Sequence, residues 1–258
     1  MDTMADIRQS AAYAEYIEKL GWQVFQVKSQ KSKVKIFVRR LGFLGAIAKI
    51  QRANVPTNFP KIPGVWMTKL EPMKFGPVPK GFRQDGWPLL ASKTLRVDLS
   101  NIRPKKDCRY CIRRALSAKR VVRRNDFGGF YKLWKKSAGI KGLWVPSEKD
   151  YFSLINAFSK NAFCITIDDL AGAVVLIHQK IAYYYYAASL PAGKLQHLPY
   201  LVVWELMQEA KKRGCKTWDW EGIYDERWPN KGWKGFTHFK KSFGGYEVEF
   251  PGSFTRWF

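Results

Sequence analysis

The sequence predicts an α+β fold built around an antiparallel sheet. Between residues 126 and 250, the hydrophobic pattern indicates helix, helix, three strands, helix, strand, helix and strand. Only short turns separate the three consecutive strands at 163–189, which is typical of an antiparallel meander. Of the 258 residues, 46% are hydrophobic and 16% are aromatic, so the chain can bury a core. The length fits one large domain or two modest ones.

The first residues predict a helix. Ser10 is placed to cap it, and Gly21 ends it. Tyr13, Ile17 and Leu20 share its apolar face.

Strands and long loops are predicted next. Residues 23–27 and 33–41 alternate as strands, and the segment KSQKSK is the turn between them. The apolar segment 43–53 fits a strand or a short helix, and its residues do not decide between the two. Residues 54–92 contain seven prolines and one strand, VWMTKLEP. Loops of this length often carry function.

A strand and a basic helix open the second half. At 93–100, Leu95, Val97 and Leu99 point to one side, as in a strand. The helix that follows contains DCRYCIRRAL and is succeeded by a strand, VVRR.

Capping residues locate the later helices. One helix carries Tyr131 and Trp134. Ser147 and Asp150 form the S-x-x-[DE] pattern that begins the next. After the three strands, a helix starts near Pro199, followed by the strand CKTWDWEG, the short helix of FTHFKK and the strand YEVEF.

The charge of the chain indicates a polyanionic partner. Lys and Arg number 45 against 21 Asp and Glu, which gives a net charge of +24. Nucleic acid, a phosphorylated substrate or anionic lipid would each account for this excess. Cys108 and Cys111 form a C-x-x-C pair without a second Cys or His pair, so no metal site is predicted. The sequence lacks a signal peptide and an apolar run of membrane-spanning length, and we expect a cytoplasmic protein that can contact the inner face of the membrane.

Several motifs, in one order along the chain, resemble the FemABX group of tRNA-dependent aminoacyltransferases. Residues 109–115 match its RY-x-IR-x-A helix. Asp219 and Gly222 match its D-x-x-G strand end, and FKKSFGG matches its FK-x-x-FG helix. The resemblance covers essentially the whole chain and implies two fused N-acetyltransferase-like (GNAT) domains, of which the first is reduced.

The resemblance also implies a domain division and a reaction. The first domain is expected at 1–104 plus 246–258, and the second at 105–245. An amino acid would pass from aminoacyl-tRNA to an amine of a peptidoglycan precursor, either UDP-MurNAc-pentapeptide or lipid II. A monomer without a cofactor is expected, with peripheral membrane contact as a further possibility.

The motifs assign candidate site residues. Lys240 is expected to stabilise the oxyanion of the transfer reaction, with Phe239 stacking on a base or packing in the core. The candidates for substrate binding are Tyr183, Tyr185, Asp219 and Lys141. Along the strand, Tyr183 and Tyr185 are predicted on one side, and Tyr184 and Tyr186 on the other. The dense run of basic residues, rather than a motif, gives the candidates for RNA binding, which are Arg109, Arg113, Arg114, Arg120, Arg123 and Arg124.

Two features of the group are missing. An arginine expected to reach a substrate phosphate, after the helix of FYKLW, is absent, and Lys141 is a nearby cation. An acidic residue expected in the last turn is also absent, because Gly252, Ser253 and Phe254 stand there. Two alternative functions therefore stay open: an acyl-CoA-dependent N-acyltransferase, although its [QR]-x-x-G-x-[GA] phosphate-binding turn is absent, and a non-catalytic RNA-binding protein.

Overall fold

The computed structural model describes residues 5–28, 33–54 and 62–258. The central residues of the predicted KSQKSK turn, and the prolines at 56 and 60, lie outside this described part. The predicted α+β class is confirmed, because the described chain forms two mixed sheets with helices.

The chain divides into two compact units. The first comprises the described residues up to Lys93 together with Tyr224–Lys231 and Val248–Phe258. The second comprises Thr94–Ile223 and Gly232–Glu247. The predicted domain division at 104 and 105, which stays a prediction, falls inside the second unit.

The first unit contains a six-stranded sheet and one helix, α1 (Ala11–Lys19). Its strands are β1 (Gln23–Lys28), β2 (Lys33–Arg40), β3 (Ala46–Ala53), β4 (Val65–Pro72), β5 (Arg83–Gln84) and β13 (Phe254–Trp257), in the order β1-β2-β3-β4-β13-β5. Only β3 and β4 are parallel among these pairs. The undecided segment 43–53 is therefore mainly strand, after a single 3-10 turn at Gly42–Leu44.

The second unit is built on a seven-stranded sheet. Its strands are β6 (Lys93–Asp98), β7 (Val122–Arg124), β8 (Ala162–Ile167), β9 (Ala171–His178), β10 (Ile181–Ser189), β11 (Thr217–Asp219) and β12 (Tyr246–Glu249), in the order β12-β6-β11-β10-β9-β8-β7. The predicted meander β8-β9-β10 is confirmed as antiparallel. By contrast, β11 runs parallel to β10 and antiparallel to β6.

Helices cover both faces of this second sheet. They are α2 (Lys106–Leu116), α3 (Phe127–Ile140), α4 (Glu148–Phe158), α5 (Pro191–Leu195), α6 (Leu198–Lys212) and α7 (Trp233–Lys241). The main core joins α2 and α6 to inward side chains such as Ala171, Ala173 and Trp218. Phe130 of α3 lies against Gly172, which points to the other face because side chains alternate along a strand. Thus α3 packs on the face opposite α6.

Local capping explains where the helices begin. The Ser10 hydroxyl accepts a hydrogen bond from the Tyr13 amide at 3.0 Å, and the Ser147 hydroxyl accepts one from the Asp150 amide at 3.1 Å. Each cap satisfies one amide that the first turn leaves without a partner and contributes about 1 kcal/mol. Both predicted helix starts are confirmed.

Candidate active site

The end of β11 is fixed by the carboxylate of Asp219. This side chain is 3% exposed. One oxygen accepts hydrogen bonds from the Thr94 hydroxyl at 2.7 Å and the Glu221 amide at 2.9 Å, and the other accepts one from Arg96 Nε at 2.8 Å. Asp219 therefore holds β6, β11 and the following turn together, and its oxygens are engaged within the protein.

The turn after β11 aims two carbonyl groups at Lys240. Glu221 has a φ of +60° and Gly222 a φ of +141°, so the chain reverses sharply there. Lys240, in the last turn of α7, donates from Nζ to the carbonyls of Trp220 at 2.9 Å and Gly222 at 2.6 Å. Sequence motifs placed Asp219, Gly222 and Lys240 at separate points of the chain, and the fold brings them together.

The environment of Lys240 weakens its hold on a proton. Burial lowers the pKa of Lys240 to about 8, and the nearby carboxylates of Glu221 and Asp219 oppose this shift. The ammonium also lies 4.8 Å from the centroid of the Phe236 ring. An ammonium has three N–H donors, so one remains for a substrate oxygen beyond the two carbonyls.

Phe239 belongs to an aromatic cluster beneath α7. Its ring meets Tyr200 edge-on, with ring centroids 4.8 Å apart, and it also contacts Trp220 and Phe243. These contacts anchor α7 on the main core and so fix the position of Lys240. Stacking of Phe239 on a substrate ring stays a prediction.

The tyrosines of β10 do not alternate as the sequence predicts. Tyr184 pairs with Val175 and Tyr186 pairs with Val174, so the strand contains a bulge at Tyr185. A bulge inserts one extra residue into a strand and reverses which side the following residues face.

The bulge separates Tyr184 from Tyr186. Tyr184 packs on Trp220 in the main core, at 5.1 Å between centroids, whereas Tyr186 packs on Trp134 of α3, at 4.2 Å. The prediction that they share a side is therefore wrong. Tyr183 is 1% exposed and lies level with Asp219. The substrate-binding roles of Tyr183 and Tyr185 stay predictions.

Lys141 and Lys240 lie on different elements of the second unit. Lys141 follows the last turn of α3, which packs on the face of the sheet opposite α6. Partial burial lowers the pKa of Lys141, and the like charge of Lys194 adds to the effect. Its contact with a substrate stays a prediction.

The six candidate RNA-binding arginines fall into two groups. Three are paired with acidic residues: Arg120 with Asp168, Arg123 with Asp169 and Arg124 with Glu205. The others lie on α2. Arg109 donates to the Pro104 carbonyl, while Arg113 and Arg114 are exposed, and no described carboxylate pairs with either. These exposed α2 arginines are the ones best suited to bind phosphates.

The motifs missed two features of the first unit. Lys69, only 2% exposed, pairs with Asp85 at 2.7 Å, and Asp85 also accepts hydrogen bonds from the hydroxyls of Ser253 and Thr255. Separately, the proline-rich segment forms a cavity of about 380 Å³. Its lining includes Asn54, Lys74, Phe75, Lys80 and Pro251. In the sequence, only the high proline content of residues 54–92 pointed to a functional loop region here.

The cysteines are free thiols in the structure. Burial raises the pKa of Cys108 to about 11, which keeps this thiol protonated at neutral pH. Within the described residues, no three His, Cys, Asp or Glu side chains are grouped to hold a metal ion.

Comparison with known proteins finds one family model that matches the C-terminal part of the chain. The model of the FemAB family matches residues 166–257, which include Asp219, Gly222 and Lys240. Residues 166–257 are thus similar to the FemAB family. The resemblance to the FemABX group is thereby confirmed. No curated protein sequence matches the chain.

Solved structures agree with this resemblance at the level of the fold. A crystal structure of FemX is 16% identical, with a TM-score of 0.78, covering 99% of this chain and 93% of its own. The C-terminal domain of a putative lysylphosphatidylglycerol synthetase from Agrobacterium fabrum is 13% identical, with a TM-score of 0.59 and coverage of 97% and 88%. L-PGS from Bacillus licheniformis is 10% identical, with a TM-score of 0.58 and coverage of 98% and 92%. The predicted α+β fold of two fused domains is confirmed, because the chain has two sheet units and the fold of the FemX structure.

Proposed function

We propose that the chain is an acyltransferase that moves an amino acid from aminoacyl-tRNA to an amine of a peptidoglycan precursor. The observation that carries the proposal is the ammonium of Lys240, held by two carbonyls beside the end of β11. It lies inside the segment that matches the FemAB family. A FemX-like fold supports the same reaction class.

The reaction requires stabilisation of a negative oxygen. The acceptor amine forms a bond to the ester carbonyl carbon, the carbonyl oxygen gains negative charge, and the bond to the tRNA ribose oxygen then breaks. The remaining N–H of Lys240 donates to the developing oxyanion, and one such donor contributes about 3 kcal/mol in a preorganised site. The proton lost by the amine ends on the ribose oxygen that leaves.

Asp219 is better suited to positioning than to proton transfer. Both of its oxygens accept hydrogen bonds from Thr94, Arg96 or Glu221, and a general base needs an oxygen within reach of the proton it takes. We therefore assign Asp219 to the support of the turn. The adjacent ribose hydroxyl of the tRNA is the candidate proton carrier.

The substrates have candidate surfaces. Arg113 and Arg114 on α2, which pair with no described carboxylate, present their charge to the tRNA backbone, where each arginine that meets a phosphate releases a condensed cation. In the first unit, Lys74 and Lys80 line the cavity beside the polar Asn54, a setting that suits an anionic acceptor. Both UDP-MurNAc-pentapeptide and lipid II carry a diphosphate.

A transfer assay tests the reaction. The protein is mixed with tRNA charged with labelled amino acids and with each precursor, and label in the precursor peptide is measured. Acetyl-CoA is offered in parallel as the donor of the alternative N-acyltransferase. Label in the peptide supports the proposal, whereas acetylation alone, or tight RNA binding without either product, overturns it.

The variant Lys240→Met tests the role of the Lys240 ammonium in transfer. It keeps the apolar stem but removes every N–H donor, so we expect kcat to fall by about 100-fold or more with little change in tRNA affinity. Lys241→Met is the control, because Lys241 is the neighbouring lysine and pairs with Glu247 on the surface. Equal activity of both variants would remove Lys240 from the mechanism.

A further inference from the structure

The turn between β2 and β3 projects two apolar side chains from the first unit. Phe43 is 97% exposed and Leu44 is 61% exposed. The turn is tight, because the Leu41 amide donates to the Gly45 carbonyl at 2.8 Å, and both Gly42 and Gly45 have positive φ angles. Phe43 and Leu44 are thus held outward by the backbone.

Aromatic residues continue this surface. Trp66 and Trp257 stack, with ring centroids 5.5 Å apart, and the Phe258 amide donates to the Trp66 carbonyl at 2.9 Å. Gly45 lies against the Trp66 ring, since a β-carbon there would be 3.0 Å from the Trp66 side chain. We call this surface the apolar tip. It comprises Phe43, Leu44, Trp66, Trp257 and Phe258.

Three arginines flank the apolar tip. Arg39 and Arg40 end β2 on the strand that leads into the turn, and both are exposed. Arg256 lies over the Phe258 ring, 4.2 Å from its centroid. No carboxylate of the described residues forms an ion pair with these three arginines. The apolar tip is therefore bordered by the positive charges of these arginines.

We propose that the apolar tip docks on an anionic lipid bilayer. Phe43 and Leu44 enter the boundary between headgroups and acyl chains, where Phe and Leu side chains lose contact with water. Trp66 and Trp257 lie at headgroup depth, the position that indole rings favour in membranes. Arg39, Arg40 and Arg256 meet the lipid phosphates, and each cation near such a surface strengthens binding about fivefold.

The same features fit a bilayer better than a nucleic acid. Single-stranded RNA binds exposed aromatic faces by stacking, but Leu44 has no ring and the rings of Trp66 and Trp257 cover each other. A bilayer accepts aliphatic and aromatic side chains alike. One inserted tip with a few cations gives reversible binding, which suits a protein that visits a membrane surface.

Membrane docking is independent of the transfer reaction, because lipid binding needs neither tRNA nor acceptor. A result that overturns membrane docking therefore leaves the proposed transfer reaction unaffected, and the reverse also holds. Within the described chain, each helix is too short or too polar to cross a bilayer.

Vesicle co-sedimentation of the full chain tests the docking. Vesicles of phosphatidylcholine with about one third phosphatidylglycerol are compared with phosphatidylcholine alone. We expect the double variant Phe43→Ser, Leu44→Ser to bind anionic vesicles at least about tenfold more weakly than the wild type. Arg39→Gln with Arg40→Gln is expected to lose about 25-fold in affinity for anionic vesicles and little for neutral ones.

A matched control removes a similar pair of exposed apolar side chains elsewhere. Leu143 and Trp144, the latter 82% exposed, are adjacent in the second unit, and their double serine variant is expected to bind vesicles like the wild type. Thermal unfolding of every variant verifies that it is folded. The proposal is overturned if the wild type does not bind anionic vesicles, or if the tip and control variants lose equal affinity. It is also overturned if the tip variant keeps vesicle binding and loses tRNA binding instead.

Discussion

Lys240 combines a fixed position with a weakened proton affinity. The carbonyls of Trp220 and Gly222 hold its Nζ, and hydrogen bonds from a charged donor contribute about 1.5–3 kcal/mol each. Removal of the ammonium from water costs free energy and lowers its pKa to about 8. The group is therefore charged at neutral pH, yet poorly hydrated, which strengthens its hydrogen bond to a developing oxyanion.

Raising the pH through the lowered pKa of Lys240 should slow transfer. Below about pH 8, the side chain is charged and stabilises the oxyanion, and above it the neutral amine does so less well. We expect kcat to follow a single deprotonation near pH 8. Single-turnover rates, corrected for spontaneous hydrolysis of the aminoacyl ester, measure this. A kcat that stays constant up to pH 9.5 would show that the charge of Lys240 is not used.

Whereas the transfer rate should fall as the pH rises, the stability of the folded protein should increase above about pH 8. The folded state binds the Lys240 proton less tightly than the unfolded chain, in which the lysine has its ordinary pKa of 10.5. The unfolded state therefore holds more protons between about pH 8 and 10.5, and the free energy of unfolding rises with pH there. Urea unfolding at several pH values measures the rise. Lys240→Met is expected to show a smaller rise, and an identical pH dependence in both proteins contradicts the assignment.

Asp85 should matter for stability through the charge that it neutralises. Lys69 is almost fully buried and pairs with Asp85, so Asp85→Asn leaves a buried ammonium without an anion. Breaking one partner of a buried pair typically costs about 3–5 kcal/mol, and denaturant unfolding measures it. Adding Lys69→Met to Asp85→Asn should restore part of the loss, because the unpaired charge is then gone. A double variant as unstable as the sum of the two single variants would show that the pair is not coupled.

At the scale of elements, α2 offers a direct test of the tRNA surface. Changing Arg113 and Arg114 to Gln should weaken tRNA binding and reduce the slope of log affinity against log salt by about one for each arginine. The control is the double Gln variant of Arg123 and Arg124, whose charges already pair with Asp169 and Glu205. Filter binding across a range of salt concentrations measures both. Equal slopes for the two variants would contradict the division of the arginines into free and paired groups.

The elements that could be predicted from the sequence are those with local signals. Helix starts at Ser10 and Ser147 depend on a hydroxyl and an amide three residues apart, so the pattern that predicts them is the contact itself. The meander was predictable because short turns join its strands. Strand β13 was not predicted, since FTRW is a short run that becomes a strand only by pairing with β4 and β5.

The features that escaped prediction depend on contacts between distant residues. The bulge at Tyr185 follows from packing of Tyr184 and Tyr186 on opposite layers, which no alternation pattern contains. Arg124 pairs with Glu205, 81 residues away, so its charge looked free in the sequence. Motifs identified Asp219 and Lys240 as candidates, but only the fold shows that Asp219 is occupied by Thr94 and Arg96.

For the whole molecule, the net charge of +24 determines how salt affects stability. Like charges on a compact chain repel one another, and the repulsion is screened beyond about 10 Å at 0.1 M salt. Buried pairs such as Lys69–Asp85 and Arg96–Asp219 are screened much less. Added salt should therefore relieve the surface repulsion while leaving the internal pairs intact.

Raising NaCl from about 0.02 to about 0.3 M should thus increase the midpoint of thermal unfolding, whereas tRNA affinity falls steeply over the same range. The two effects share one cause, because the cations that repel one another in the free protein are those that release counterions from RNA. Scanning calorimetry and filter binding at matched salt concentrations measure them. If the unfolding midpoint falls with salt, exposed pairs such as Arg123–Asp169 outweigh the net repulsion, and the excess charge is locally balanced.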